Sequence, residues 1–206
     1  MDRLNVISNT ILLCCISFSA HATVGGPQFI EVLGLDQKAQ KIYVMRHFED
    51  GRGRLPQLYY YQLNAQQPKQ LISVKSLYIN PKTNRIDYDQ DSTLFDKEIA
   101  KIKTRLVKLV PIHNSNVSIQ LITSINGTAK AWFDPQETID KWSYQYLVKS
   151  QKYSSTVQTA VSYKEGLKIS KTYKVPNQPY IFVTVQYLGI PFERGYNIED
   201  PVLLGK

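Results

Sequence analysis

Four carboxylates at a regular spacing are the side chains of this chain best suited to a chemical role. In the stretch DYDQDSTLFDKE, Asp87, Asp89 and Asp91 occupy alternate positions, and Glu98 closes the segment. Calcium takes about six to eight oxygen ligands, and alternate acids on a tightly turning loop supply several of them. The spacing therefore predicts a calcium site formed by these four residues. Calcium is the one cofactor that the sequence suggests.

The order of residues in this stretch resembles the calcium loop of the EF-hand family. The four acids fall on positions that carry ligands in that family, and Leu94 falls where the family has an aliphatic core residue. Ser92 stands where the family has glycine, and the residues before Asp87 have the composition of a strand rather than a helix. The resemblance implies a strand–loop–helix site that binds calcium weakly.

The same segment has an alternative role as the start of a helix. Asp91, Ser92 and Thr93 are all of residue types preferred at helix N-caps. Asp96 and Glu98 would place negative charge near the helix N-terminus, where the helix dipole favours it. This hypothesis needs no metal, and the sequence leaves both interpretations open.

An Arg-His pair lies near the end of a predicted strand, in the stretch KIYVMRHFED. The pair resembles the start of a histidine phosphatase, in which the His is phosphorylated and the Arg binds phosphate. The resemblance implies these roles for Arg46 and His47, with His113 as the second histidine that such a site needs. Phe48 stands where that family has glycine. A periplasmic hydrolase that uses Arg46 and His47 is therefore the alternative function.

Other catalytic signatures are missing from the sequence. No G-x-S-x-G, H-E-x-x-H or P-loop pattern occurs. Cysteine occurs only at positions 14 and 15 and histidine only at positions 21, 47 and 113, which disfavours thiol and zinc chemistry. The sequence favours a binding or structural interaction module over an enzyme.

An amphipathic helix is predicted over residues 94–110. Five apolar residues recur there at intervals of three or four, which places them on one helical face. They are Phe95, Ile99, Ile102, Leu106 and Leu109. Pro111 follows, and proline cannot continue a helix without loss of a backbone hydrogen bond. The pattern predicts that this face packs on a sheet.

Strands are predicted on both sides of that helix. Before it, β-branched and aromatic residues indicate a meander over residues 29–33, 41–48, 57–63 and 70–74, with a further hairpin at Asn80-Pro81. After it, Asn126-Gly127 predicts a hairpin turn inside residues 117–133. Four more strands are predicted over residues 141–148, 155–163, 167–175 and 180–188, and an irregular tail follows.

These elements predict an α+β fold that is mainly antiparallel. An N-terminal meander, one helix and a larger C-terminal antiparallel sheet follow one another along the chain. The expected organisation is one domain over residues 23–206, or two lobes divided near the helix at 94–110.

The N-terminus predicts export. Residues 1–22 combine an early cation, a short apolar run and Ala20-His21-Ala22, which has the form of a signal-peptidase site. The apolar run is shorter than the roughly 20 residues that span a bilayer, so no transmembrane segment is expected in the mature chain. The sequence predicts a periplasmic or secreted protein.

The formal net charge of +8 indicates which kinds of partner the protein can attract. An exported cation meets anionic envelope surfaces or other proteins rather than nucleic acid. No run of five like charges concentrates the field. The expected partner is an anionic envelope component or another protein.

Overall fold

Residues 25–113, 115–192 and 195–206 are described by the computed structural model, so the predicted leader, residues 1–22, lies outside the described residues. Strands dominate this part of the chain, and it contains one α-helix. None of its helices has the length and apolar character needed to cross a membrane. The fold is therefore mainly β, with the helix as a minor component.

The N-terminal half follows the predicted meander closely. Its elements are β1 (Gln28–Asp36), β2 (Lys41–Phe48), β3 (Gln57–Gln62), β4 (Leu71–Ser73), β5 (Ile79–Asn80), β6 (Arg85–Ile86), α1 (Ser92–Lys103) and β7 (Val110–Pro111). The predicted hairpin at Asn80-Pro81 is confirmed, because β5 pairs with β6 across it. Local turn residues and β-branched runs were sufficient to locate these strands.

The C-terminal half departs from prediction at two places. Its strands are β8 (Ser118–Lys130), β9 (Thr138–Lys149), β10 (Gln158–Ser162), β11 (Lys168–Lys174), β12 (Ile181–Ile190) and β13 (Tyr196–Leu204). The turn predicted at Asn126-Gly127 is wrong, because both residues lie inside β8 and pair with β9. The prediction of an irregular C-terminal tail is also wrong, because β13 lies in it.

One large sheet joins the two halves of the chain. Its strand order is β4-β3-β2-β1-β13-β12-β11-β7, while β10-β9-β8 and β5-β6 form two smaller antiparallel sheets. The contact between β1 and β13 is parallel, so the large sheet is mixed. The prediction of a separate C-terminal antiparallel sheet is wrong in this respect. The last strand returns to the first, a long-range pairing that leaves no local signal.

The helix is shorter than predicted. It ends at Lys103, where the Thr104 hydroxyl donates to the Lys101 carbonyl at 2.8 Å. Beyond it, Val107 exchanges two backbone hydrogen bonds with Leu35 of β1, at 2.8 and 2.9 Å. At Gly34 the φ angle is +139°, and a Cβ there would lie 2.6 Å from the Val107 carbonyl. Strand pairing with β1 therefore replaces the last turns of the predicted helix.

The large sheet curls over its own face. Tyr61 of β3 and Phe182 of β12 lie four strands apart, which is about 19 Å in a flat sheet. Their ring centroids are 6.3 Å apart, and the Tyr61 hydroxyl donates to the Pro201 carbonyl at 2.8 Å. The enclosed core contains Ile30, Leu35, Ile42, Val44, Tyr61, Leu63, Leu109, Val175, Phe182 and Leu203.

Two further layers cover the outer faces of this sheet. Under α1, the buried residues are Leu33, Tyr43, Met45, Leu55, Leu58, Tyr78, Phe95 and Ile99. Between the small sheet and strands β12 and β13, they are Tyr144, Tyr146, Val148, Ala160, Val183, Val185, Val202 and Leu204. The small sheet is therefore anchored through β9 and β10, and β8 lies on its outer side.

A buried carboxylate lies where β13 separates from β1. Glu199 is 3% exposed, and its Oε2 accepts from the Ile30 amide at 3.0 Å and from the Lys171 ammonium at 3.2 Å. Its Oε1 accepts from the Ser170 hydroxyl at 2.7 Å. The side chain thus satisfies a backbone donor that a neighbouring strand would otherwise satisfy, and it ties β1, β11 and β13 together.

Candidate functional site

Arg46 and His47 lie on opposite faces of β2, as successive residues of a strand must. The Arg46 guanidinium donates to Asp200 at 2.6 Å and to the Gln28 side chain at 3.1 Å. The His47 ring contacts Glu31 at 2.8 Å and stacks on Phe29 with centroids 4.7 Å apart. The structure therefore does not bring the two residues into a common site.

On the face of β2 that carries Arg46, polar side chains form a hydrogen-bonded network. The Tyr187 hydroxyl donates to the second oxygen of Asp200 at 2.6 Å. Burial raises the pKa of Tyr187 well above its ordinary value, and the charge of Asp200 adds to the effect. The network links β2, β12 and β13, and its contacts are those of a structural ion pair rather than an activated nucleophile.

On the opposite face of β2, His47 belongs to a cluster of charged side chains at the surface, near the end of α1. Glu31 lies between His47 and Lys103, whose ammonium donates to it at 2.9 Å. Burial alone would raise the pKa of Glu31, but the hydrogen bonds and charges of Lys103 and His47 outweigh it and hold the pKa below its usual value. This cluster connects β1 and β2 to the helix.

His113 lies elsewhere. It is exposed and lines a cavity of 560 Å³ together with Ser115, Ser170, Lys171 and Thr172, and neither Arg46 nor His47 lines that cavity. The three residues that the phosphatase resemblance implies are thus at three separate places.

The side chains of three predicted calcium ligands, Asp87, Asp91 and Glu98, make local contacts. Asp87 accepts from the Asn80 side chain and from the Asp89 amide, each at 3.0 Å. Asp91 is the N-cap of α1 and accepts from the Thr93 amide at 3.0 Å. Hydrogen bonds from the side chain and the amide of Thr93 hold the pKa of Asp91 below its usual value.

Glu98 completes the predicted ligand set. It contacts Lys101 on the next turn of α1 at 2.5 Å. Within the described ranges, no three His, Cys, Asp or Glu side chains are grouped closely enough to hold a metal ion. The N-cap role of Asp91 is confirmed, and calcium binding by Asp87, Asp89, Asp91 and Glu98 stays a prediction.

We expect Asp91→Ala to lower the midpoint of thermal unfolding by a few degrees, equally with a chelator and with millimolar calcium, because it removes a helix cap. Thermal unfolding under both conditions checks this. Glu98→Gln is the matched variant, since it removes the proposed bidentate ligand and leaves the cap intact. A calcium-induced rise in the midpoint that Glu98→Gln abolishes would instead establish the metal site, with an affinity of about 0.1–1 mM.

The outer strand of the small sheet, β8, is exposed and lies at an edge. Within the described part of the chain, β8 pairs with β9 alone, so its other edge has no strand beside it. Every residue over positions 120–128 is exposed, so both faces of the strand are open to solvent there. The exposed fractions reach 49% for Leu121, 47% for Ile122 and 64% for Ile125.

The composition of β8 differs from that of a protected edge strand. No charged residue occurs between Ser118 and Ala129, and Lys130 ends the strand. Edge strands are usually blunted by charges, proline, short length or a bulge. Here the register shift between Leu121 and Thr123 is a bulge at Ile122, and the strand beyond it is continuously paired with β9.

Two neighbouring rows on the outer face of the small sheet are also uncharged next to this edge. One row across it contains Val161, Ser143 and Ile125, and the next contains Thr159, Gln145 and Thr123. Val161 is 40% exposed. Reasoning from sequence missed this surface, although the uncharged run over residues 117–129 is visible in the sequence.

Comparisons with known proteins supply no relative for this chain. The sequence matches no family model and no curated protein, and the structure matches no solved structure.

Proposed function

We propose that this chain is an exported protein of the cell envelope that acts as an interaction module, accepting a strand of a partner protein along the free edge of β8. The observation that carries the proposal is the exposed edge of this 13-residue strand, which is uncharged from Ser118 to Ala129 and has no neighbouring strand among the described residues. Export is part of the proposal and rests on residues 1–22, which lie outside the described residues.

The chemistry of the edge specifies the kind of partner. An edge strand presents unpaired backbone N–H and C=O groups at every second residue, and an extended segment satisfies them by adding a strand. Backbone hydrogen bonds provide affinity in such complexes, and alternate side chains provide specificity. The side chains available here are Leu121 on the inner face and Ile125 on the outer face.

The edge is held in place before any partner arrives. Strand β8 pairs with β9 along its whole length, from Ser118 opposite Lys149 to Lys130 opposite Thr138. Strand β9 is in turn fixed by the buried side chains of Tyr144, Tyr146 and Val148. A template that is already ordered loses less conformational entropy on binding.

A photo-reactive amino acid placed at Thr128 of β8 is expected to give covalent protein adducts in the producing cells. The control is the same amino acid at Lys82, which is also exposed but lies in the β5–β6 turn. Denaturing gels of the purified adducts are the measurement. No adduct at Thr128, or adducts of equal yield at both positions, would contradict the proposal.

A further inference from the structure

We infer that the strand accepted by β8 is β8 of a second copy of this chain, paired antiparallel about a twofold axis. The inference rests on the proposed use of the β8 edge and names its occupant. The two three-stranded sheets would then join as one six-stranded sheet, in the order β10-β9-β8-β8-β9-β10. Each copy covers the open edge of the other, so the assembly closes as a dimer.

The backbone of an open edge is self-complementary. Its donors and acceptors repeat at every second residue, and rotation by 180° brings acceptors opposite donors in an antiparallel pair. A partner with the required pattern is therefore present wherever the chain itself is present. Long, uncharged edges pair with copies of themselves unless charge or shape prevents it.

Charge does not prevent pairing here. The chain as a whole carries a formal charge of +8, but Ser118 to Ala129 are uncharged and Lys130 stands at the strand end. Two copies can therefore align their β8 strands without bringing like charges opposite each other. A chain with basic residues along the edge would repel its own copy at this place.

The bulge and the terminal lysine together select the register. Pairing must begin after the bulge at Ile122 and end before Lys130, which leaves residues 123–129. Hydrogen-bonded and non-hydrogen-bonded pairs alternate along an antiparallel ladder. A twofold axis exchanges the two residues of each pair, so both must have the same hydrogen-bonding type. The axis must therefore pass between one residue and its own copy. The centre of this window is Asn126.

Side chains fit this register. Asn126 lies opposite Asn126 of the second copy, and the two amides can hydrogen-bond to each other. Ile125 lies opposite Gly127, and a Cβ built at Gly127 has no neighbour within 4 Å, so the isoleucine has room. The missing side chain at Gly127 in the middle of a strand is typical of close approach by another chain.

Charges on the neighbouring strand are also well separated. Lys141 of β9 pairs with Gly127, and its row continues through Ile125 and Ser143 of the second copy. The two Lys141 residues lie on strands three spacings apart, about 14 Å, and in different rows, so their separation exceeds the screening length at physiological salt. The remaining repulsion comes from the net charge and is weakened by salt.

Sedimentation of the exported protein at increasing concentration is expected to show a monomer–dimer equilibrium that shifts toward dimer as salt rises. Asn126→Lys places two lysines opposite each other and is expected to raise the dissociation constant about fivefold or more. Asn126→Asp should weaken the dimer in the same way. An equimolar mixture of the two variants should restore it, a rescue that a folding defect cannot produce.

Asn126→Cys supplies the second measurement. Identical residues opposite each other have Cα atoms about 4.5–5.5 Å apart, within disulfide range, so oxidation should yield a covalent dimer. Val161→Cys, also exposed but on β10, should not cross-link, and the parent chain controls for Cys14 and Cys15.

A monomer at every concentration and salt level, or a dimer that neither cross-links at Asn126 nor responds to the charge variants, would overturn the inference. The adducts at Thr128 separate it from the proposed function. Adducts with the mass of two copies support both, whereas adducts of another mass retain the proposed function and reject the second copy. The absence of any adduct rejects both.

Discussion

Replacing Phe95 by Ala is expected to lower the free energy of unfolding by about 3 to 5 kcal/mol, because it empties a ring-sized volume in the core under α1. Phe95 is 3% exposed. Its ring centroid lies 5.7 Å from that of Tyr78, and the Tyr78 hydroxyl accepts from the Leu58 amide at 2.7 Å. The lost contacts are therefore with a rigidly held neighbour, so the cavity cannot collapse easily.

The helix depends on this contact because it is short. A helix of 12 residues is marginal in water without tertiary packing. Leu94→Ala is the matched control, since Leu94 precedes Phe95 on the same helix and is 61% exposed. It should change the free energy of unfolding by less than about 0.5 kcal/mol. Chemical denaturation measures both variants, and equal effects would mean that α1 does not pack as described.

Ile102 refines the same prediction. Its apolar spacing suggests that it is as buried as Phe95 and Ile99, but it is only partly buried at the end of α1. Ile102→Ala is therefore expected to have an effect between those of Phe95→Ala and Leu94→Ala.

Replacing Glu199 by Ala is expected to lower the free energy of unfolding by about 2 to 4 kcal/mol. The substitution leaves the Ile30 amide without its acceptor and the Lys171 ammonium without its counter-charge. The amide receives no acceptor from β13 at this point, because β1 pairs with β13 at Gln28 and Ile198. A buried donor without an acceptor keeps the full penalty of leaving water.

One variant at position 199 separates the loss of charge from the loss of the hydrogen-bond acceptor, and one variant elsewhere is the control. Glu199→Gln keeps an oxygen acceptor and removes the charge, so it should be milder than Glu199→Ala. Glu165→Ala removes an exposed glutamate from a turn and should have almost no effect. Urea denaturation of the three variants is the measurement. A loss below about 1 kcal/mol for Glu199→Ala would show that β1 and β13 are held together by other contacts.

Local sequence was sufficient for the elements whose signals lie within a few residues. The strand predicted over residues 41–48 is β2 with the same bounds, because β-branched residues are continuous there and turn residues flank them. The N-cap of α1 was equally visible, since Asp91 bonds an amide two residues away. Contacts of this range depend little on the rest of the fold.

Elements decided by distant partners were predicted poorly. The last strand, β13, reads as a Gly- and Pro-containing tail, yet it lies between β12 and β1. Asn126-Gly127 has turn propensity, but pairing of β8 with β9 on both sides of it keeps the chain extended. The helix ends early because Val107 bonds to Leu35, more than seventy positions earlier in the sequence.

The sequence by itself determined where most strands and the helix begin, the absence of charge along residues 118–129, and the lack of cysteine chemistry after position 15. Only the tertiary structure decided which side chains meet. It separates Arg46 from His47 across β2, places Glu199 between β1 and β13, and leaves β8 at an open edge. The physical reason is range: propensities and caps act over a few residues, whereas sheet order is selected by burial and backbone pairing across the whole chain.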